Sequence, residues 1–252
     1  MGTLERRDND WVPTRTIDLN ADLGEEVTDD EALLGVVTSA NVACGFHAGT
    51  DATMRRVCEE AARRGVAIGA QVSYADREHF GRRRMDVSSD LLRGQVAEQV
   101  GVLAGHAAAA GTRVGYLKPH GALYHRVVDD QEQALAVLDG SGALPVLGLP
   151  GGAFVRLAAA AGRQVFLEGF PDRGYTDDGR LVPRDRSGAL VTDGEEIARN
   201  AVALAAATRP VVDSVCVHGD APDAVARAIG VRRALEAAGF RLAPFATSSP
   251  AR

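Results

Sequence analysis

From Thr16 onward, short apolar segments of strand type alternate with Ala- and Arg-rich amphipathic segments of helix type. No other feature constrains the fold as much. Strands that alternate with helices at this spacing are parallel and joined by crossover helices. The strand candidates are Thr16–Asn20, Ala40–Cys44, Val66–Val72, Val114–Lys118, Leu144–Leu149, Val165–Glu168 and Ser214–His218, with Arg241–Phe245 as an eighth. Helices are expected near 30–38, 53–64, 88–110, 152–162, 193–208 and 221–238, and a weaker one near 131–139. Seven or eight such units fit a closed or nearly closed parallel β/α barrel, with a doubly wound open sheet as the competing architecture.

The length of 252 residues suits one barrel. Residues 1–15 are polar and aperiodic and are read as a disordered tail, leaving 16–252 as a single barrel domain. The segment from Pro171 to Leu190 is the longest irregular piece, a length typical of functional or mobile loops. A formal net charge of −6 argues against nucleic acid or an anionic membrane as partner. Three cysteines without a CxxC pair suggest a reducing compartment, and no apolar run is long enough to span a bilayer. A soluble cytoplasmic protein is expected.

In parallel α/β folds the active site lies beyond the C-terminal strand ends. Those ends carry Asp18, Asn20, Asp22 and Glu25, then Asn41 and His47, then Gln71, Ser73 and Tyr74. Further along come Lys118, His120 and Tyr124, the Gly151–Gly152 pair, Glu168, Asp172 and Arg173, and finally His218 and Asp220. Any one of them has a structural explanation as a cap, a turn residue or a satisfied core group. Six strand ends converging on one rim favour a site.

Lys118 stands out, because it is the only lysine among 28 basic residues. Arg replaces Lys freely on a solvated surface but not where a compact ammonium must fit. Its available roles are a point charge on a carboxylate or phosphate, oxyanion stabilisation, or a Schiff base. Loss of Lys118 is expected to abolish turnover with the fold intact. Asp18, Asp22, His47 and His120, with His218, form a set of N and O donors suited to Zn²⁺ or Mn²⁺. Arg173, Arg180, Arg184 and Arg186 make the 171–190 loop a candidate anion-clamping lid or simply a solvated loop. The chain has no Walker A loop, no G-x-G-x-x-G after the first strand, no G-x-S-x-G elbow and no H-E-x-x-H helix.

Six blocks in order, IDLNADLGE, SANVACGFHAG, VAIGAQVSYADREHFGRR, LKPHGALY, DRGYTDDGRLVPR followed by GAL, and VCVHGD, resemble the LamB/YcsF family over about residues 16–245. The resemblance implies a distorted seven-stranded β/α barrel similar to glycoside hydrolases and polysaccharide deacetylases. It implies the A component of an ATP-dependent 5-oxoprolinase working with subunits B and C. The implied reaction converts 5-oxo-L-proline, ATP and two waters to L-glutamate, ADP and phosphate. The missing Walker loop fits nucleotide handling shared with, or done by, those partners.

The chain departs from the family pattern at several positions. Gln71 replaces a His of the third block, which weakens a metal or proton-transfer role there, and Val72 and Ala75 replace prolines. Thr50 takes an Asp position with Asp51 beside it, a one-residue shift that redirects the side chain. His125 stands where many members have Asn.

For the implied reaction, Lys118 is assigned to the substrate carboxylate, a phosphate or the oxyanion. Asp22, His120 or His218 is the candidate general base. Asn20, Asn41 and His47 would bind substrate, as would Arg173. Glu168 and Asp220 would orient a histidine or act on the leaving nitrogen. Two rival functions remain: a stand-alone metal-dependent amidase of deacetylase type, and a non-catalytic oxoproline-binding subunit.

Overall fold

The structure, a computed structural model, describes residues 15–221 and 223–246. Of the expected tail, residues 1–14 lie outside the described residues, whereas Arg15 already belongs to the first strand. The strands are β1 (Arg15–Leu23), β2 (Ser39–Ala43), β3 (Ala67–Val72), β4 (Val114–Pro119), β5 (Val146–Gly148), β6 (Val165–Gly169), β7 (Ser214–Val217) and β8 (Phe240–Leu242). The helices are α1 (Asp30–Leu34), α2 (Asp51–Arg64), α3 (Ser89–Ala109), α4 (Gly121–Asp129), α5 (Gln131–Gly140), α6 (Ala153–Ala160), α7 (Gly194–Ala206) and α8 (Ala224–Ala237).

Strands β1 to β7 pair in sequence order, all in parallel, and β1 pairs with both β2 and β7, which closes the barrel. The contact between β4 and β5 is a single register pair, Leu117 with Val146, so the closure is uneven. The eighth candidate strand is real but lies outside the barrel. β8 pairs with Arg15–Ile17, before β7 takes over beside β1 at Asp18. Helix α4 is absent from the sequence expectations, and Pro119 and Gly121 punctuate the chain where it begins.

Strand alternation decides what fills the barrel. In β1, Ile17, Leu19, Ala21 and Leu23 belong to the apolar core. The intervening Asp18, Asn20 and Asp22 are also buried, and they join a second, polar core. Asp18 accepts from the hydroxyls of Thr38 and Ser39, both at 2.6 Å, and from Ser214. Asn20 donates to Ser214 at 2.6 Å and accepts from Asn41 at 2.7 Å. Asn41 also donates to Asp22 at 2.9 Å and accepts from the Tyr116 hydroxyl at 2.7 Å. Gly69 makes room for the Tyr116 ring, since a Cβ there would fall 2.2 Å from ring carbons.

The outer helices bury one face each. Helix α2 is capped by the Thr50 hydroxyl, ends on Gly65 in the left-handed conformation, and buries Met54, Val57, Cys58 and Ala61. Thr50 is therefore used as a cap. Asp51 is exposed and pairs with His106, so it does not replace an inward-facing carboxylate.

Candidate active site

The C-terminal ends of the strands open into a cavity of about 490 Å³. Asp22, Lys118, His120, Tyr124 and Phe170 line it, and His218 faces in from the end of β7. Loop residues Leu181, Pro183, Arg184 and Asp185 form one wall, so the 171–190 loop is part of the site. Arg173 also lines the cavity, but its guanidinium holds the loop together, donating to the carbonyls of Ala189 and Val182 at 3.0 and 2.7 Å.

On the floor, the Lys118 ammonium lies 2.9 Å from Glu168 and 3.5 Å from Asp22. It also contacts Asn20 at 3.4 Å and the Cys216 sulfur at 3.1 Å. Burial disfavours this charge, but Asp22 and Glu168 outweigh it and hold Lys118 firmly as the ammonium. Burial likewise opposes the Asp22 carboxylate, yet Lys118, His218 and His120 keep it below the usual carboxylate range. Glu168 goes the other way: burial raises it, and Lys118 only partly compensates. The expected role of Lys118 changes in two respects. It is already paired with two carboxylates, so any substrate oxyanion shares it with them. Its removal would also strand buried charge, so the fold would not be left unperturbed.

On the wall, His218 Nδ1 lies 2.8 Å from Asp172, which also accepts the His218 backbone N–H at 3.2 Å. Burial disfavours the imidazolium, but Asp172 outweighs it and raises His218 above its ordinary value. Phe170 stacks on the imidazole with centroids 5.4 Å apart. With Nδ1 committed to Asp172, Nε2 is the nitrogen left for the cavity. His125 nearby is pushed down to about 4, by burial first and then by Arg173 and Arg184.

At the mouth, Asp220 pairs with Arg82 and, at 3.7 Å, with Arg184. Asp220 therefore ties the loop after β3 to the 171–190 loop.

Behind His120 lies a second cluster. His47 and His120 stack at 4.0 Å, with Phe80 edge-on to both. Their Nε2 and Nδ1 atoms lie 3.5 and 3.6 Å from the same Glu25 oxygen. Gln71 donates to Glu25 at 3.1 Å and contacts His120 Nδ1 at 2.8 Å. Among the described residues, Glu25, His47 and His120 are the group whose donor atoms lie close enough to share a metal ion. His120 is held well below its ordinary value, by burial first and then by His47. Gly81, at φ +69°, lets the backbone pass within 2.9 Å of the His47 Cβ, measured from where its own Cβ would be.

The sequence-derived candidates therefore separate. Asp22, Lys118, His120 and His218 meet at the cavity, with Glu168 beneath it. Asn20 and Asn41 are fully buried and bond to their neighbours in the barrel, and neither lines the cavity, which corrects their expected substrate contact. Asp18 is bound by three hydroxyls and is absent from the donor cluster, which corrects its place among the metal candidates. His47 belongs to that cluster and does not line the cavity. Glu25 and Asp172 are the residues whose roles sequence reasoning missed. Both follow strand ends and fall within quoted blocks, but nothing in the sequence assigns either a partner.

The LamB/YcsF family model matches residues 17–250. The chain belongs to the LamB/YcsF family. Curated LamB/YcsF relatives include the A component of the 5-oxoprolinase of Streptomyces avermitilis, 57% identical over 91% of this chain and all of that protein. The corresponding 5-oxoprolinase component of Mycolicibacterium gilvum is 50% identical over 91% of this chain and 99% of that one. A solved structure, the lactam utilization protein of Thermus thermophilus, superposes with a TM-score of 0.84 at 36% identity, covering 91% of this chain and all of that one. A family 4 carbohydrate esterase from Streptomyces lividans, 10% identical, matches with a TM-score of 0.55 over 95% of this chain and all of that one, which is a likeness of fold alone. The LamB/YcsF barrel and the expectation of seven closing strands thus agree.

Proposed function

We propose that the chain is the A component of an ATP-dependent 5-oxoprolinase and performs the hydrolytic opening of 5-oxo-L-proline to L-glutamate. The relatives' shared name supports the substrate. One observation carries the chemistry: the Asp172–His218 pair and the Asp22–Lys118–Glu168 cluster face one cavity at the mouth of the barrel.

A five-membered lactam is an unstrained amide and a poor electrophile. Transfer of the γ-phosphoryl group of ATP to the lactam oxygen releases ADP and leaves an electrophilic carbon. The first water adds there and breaks the C–N bond, giving the acyl phosphate. The second water hydrolyses it to glutamate and phosphate, which accounts for both waters. His218 Nε2 takes the proton from the attacking water, with Asp172 holding the ring in the required tautomer. Lys118 stabilises the oxyanion from the floor while Asp22 and Glu168 fix its position. Arg82 and Arg184 draw the anionic substrate to the mouth. The missing Walker A loop fits a phosphoryl step shared with, or done by, partner subunits B and C.

The test is to measure glutamate and phosphate release from 5-oxoproline by the chain alone and with B and C, with and without ATP. Turnover that needs all three subunits and ATP supports the assignment, and ATP-independent turnover by the chain alone overturns it in favour of a stand-alone amidase. If His218→Asn leaves turnover in the full complex unchanged, the chain is a non-catalytic binding subunit.

A further inference from the structure

We infer that Glu25, His47 and His120 form a binding site for one divalent transition-metal ion of the zinc type, behind the floor of the cavity. Proton positions on the two imidazoles follow from their neighbours. His120 Nε2 faces the Phe80 carbonyl at 3.2 Å, and a carbonyl can only accept, so Nε2 carries the proton and Nδ1 presents a lone pair. The Ser73 hydroxyl donates its only proton to the Tyr74 carbonyl at 2.9 Å. It can therefore only accept from His47 Nδ1, 3.0 Å away, which leaves the lone pair on His47 Nε2. Both imidazoles are thus set, by groups behind them, in the tautomers that a metal ligand requires.

Those two unprotonated nitrogens lie beside one carboxylate oxygen. His47 Nε2 and His120 Nδ1 lie 3.5 and 3.6 Å from Glu25 Oε1, with all three residues buried. Three electron-rich atoms at these distances repel unless a proton or a metal cation joins them. Gln71 satisfies His120 and Glu25 in part, but His47 Nε2 meets only the Glu25 oxygen, at the long distance of 3.5 Å. His47 is only 1% exposed, so bulk solvent does not reach it. The Gln71 Oε1 atom, also buried, lacks a hydrogen-bond partner.

The dimensions suit the ion. Ligands about 2.1 Å from a tetrahedral zinc lie about 3.4 Å apart, close to both observed separations. Two imidazoles and a carboxylate favour zinc over magnesium or calcium, which prefer all-oxygen shells. Rotation of the Gln71 amide by a half-turn would exchange its NH₂ for the carbonyl and offer a fourth donor beside Glu25 and His120. The two rings stand nearly parallel, 13° apart, so loading tilts them toward each other about a soft terminal torsion.

The test needs no turnover, so it succeeds or fails independently of the oxoproline reading. The full-length chain, stripped with chelator and dialysed, is titrated with Zn²⁺ by calorimetry and with Co²⁺ by visible absorption. We expect one equivalent of Zn²⁺ per chain and an intense tetrahedral-type Co²⁺ band. Glu25→Gln and His47→Gln should each weaken Zn²⁺ binding at least about tenfold, while His106→Gln, at a surface histidine, retains it. Because a site variant can fail to fold, each is checked by circular dichroism, and the Co²⁺ spectrum of the unaltered chain stands without them. Absence of stoichiometric Zn²⁺ in the unaltered chain, a Co²⁺ spectrum of the weak octahedral kind, or equal affinity in folded Glu25→Gln and His47→Gln variants would each overturn the inference.

Discussion

The Asp172 carboxylate holds His218 at two points, 2.8 Å from Nδ1 and 3.2 Å from its backbone nitrogen. The side-chain contact sets the tautomer and the charge preference of the ring, and the backbone contact fixes where the ring starts. A histidine with both constraints is set up for proton transfer through Nε2.

Asp172→Asn should therefore move the pH profile in a defined direction. Asp172 raises His218, so removing the charge lowers it. The acid limb of kcat/KM shifts to lower pH, because the ring stays neutral further down. At the plateau the rate falls by roughly 10²-fold or more, as the ring loses its tautomer control. Steady-state rates of the assembled complex between pH 5 and 9 check this. A limb that stays in place would mean that another group is the base.

Lys118→Ala should cost stability as well as activity. It leaves Asp22 and Glu168 buried without their cation, a loss of about 3–5 kcal/mol at neutral pH. In the parent, Lys118 holds Asp22 below its usual value, so that pairing stays intact down to the unfolded carboxylate pKa; in the variant, Asp22 and Glu168 are left to burial, which raises them, and they take up protons as the pH falls. The gap between variant and parent should thus narrow as the pH drops toward 4. Denaturant melts at pH 7 and pH 4.5 test it, and Lys118→Met with Glu168→Gln should recover part of the stability but none of the turnover.

Asp18 supplies a pH dependence of the opposite sign. Burial raises it from 3.8 to about 6, with its three hydroxyl donors opposing. Its contribution is fully present below the unfolded value and is lost as pH rises through about 6, by up to about 3 kcal/mol. Asp18→Asn removes this slope, so the variant should gain on the parent between pH 4 and 7. Parallel melts across that range would show a constant difference if Asp18 did not titrate there.

Gly69→Ala should destabilise the barrel without touching the cavity lining. The added methyl would fall 2.2 Å from the Tyr116 ring, which cannot move without giving up its bond to Asn41. The expected loss is about 1–3 kcal/mol, read as a lowered midpoint in urea.

Most of the fold is legible in the sequence, because apolar strands and amphipathic helices have different periods. All seven barrel strands fall within a few residues of their expected places. Helix α4 was hidden by Pro119 and Gly121, which normally end structure but here precede a helix that buries Leu123, Tyr124, Val127 and Val128. Depth was the harder quantity. Asp18 and Asp22 share the inward face of β1, but four residues along a strand span about 13 Å, so they serve different layers. Periodicity gives the face and says nothing of the layer. Glu25 and Asp172 sit past strand ends in irregular backbone, where their partners are set by the three-dimensional path of the loops.

The polar filling of the barrel has a consequence for how such a chain can change. Asn20 touches Ser214, Asn41 and Lys118, and Asn41 passes the connection on to Tyr116 and Asp22. A Val-and-Leu interior tolerates drift one residue at a time, because any apolar neighbour will do. Here each replacement orphans a specific donor or acceptor, so substitutions are expected to arrive in compensating sets. The interior behaves as one inherited word, respelled as a whole or left alone.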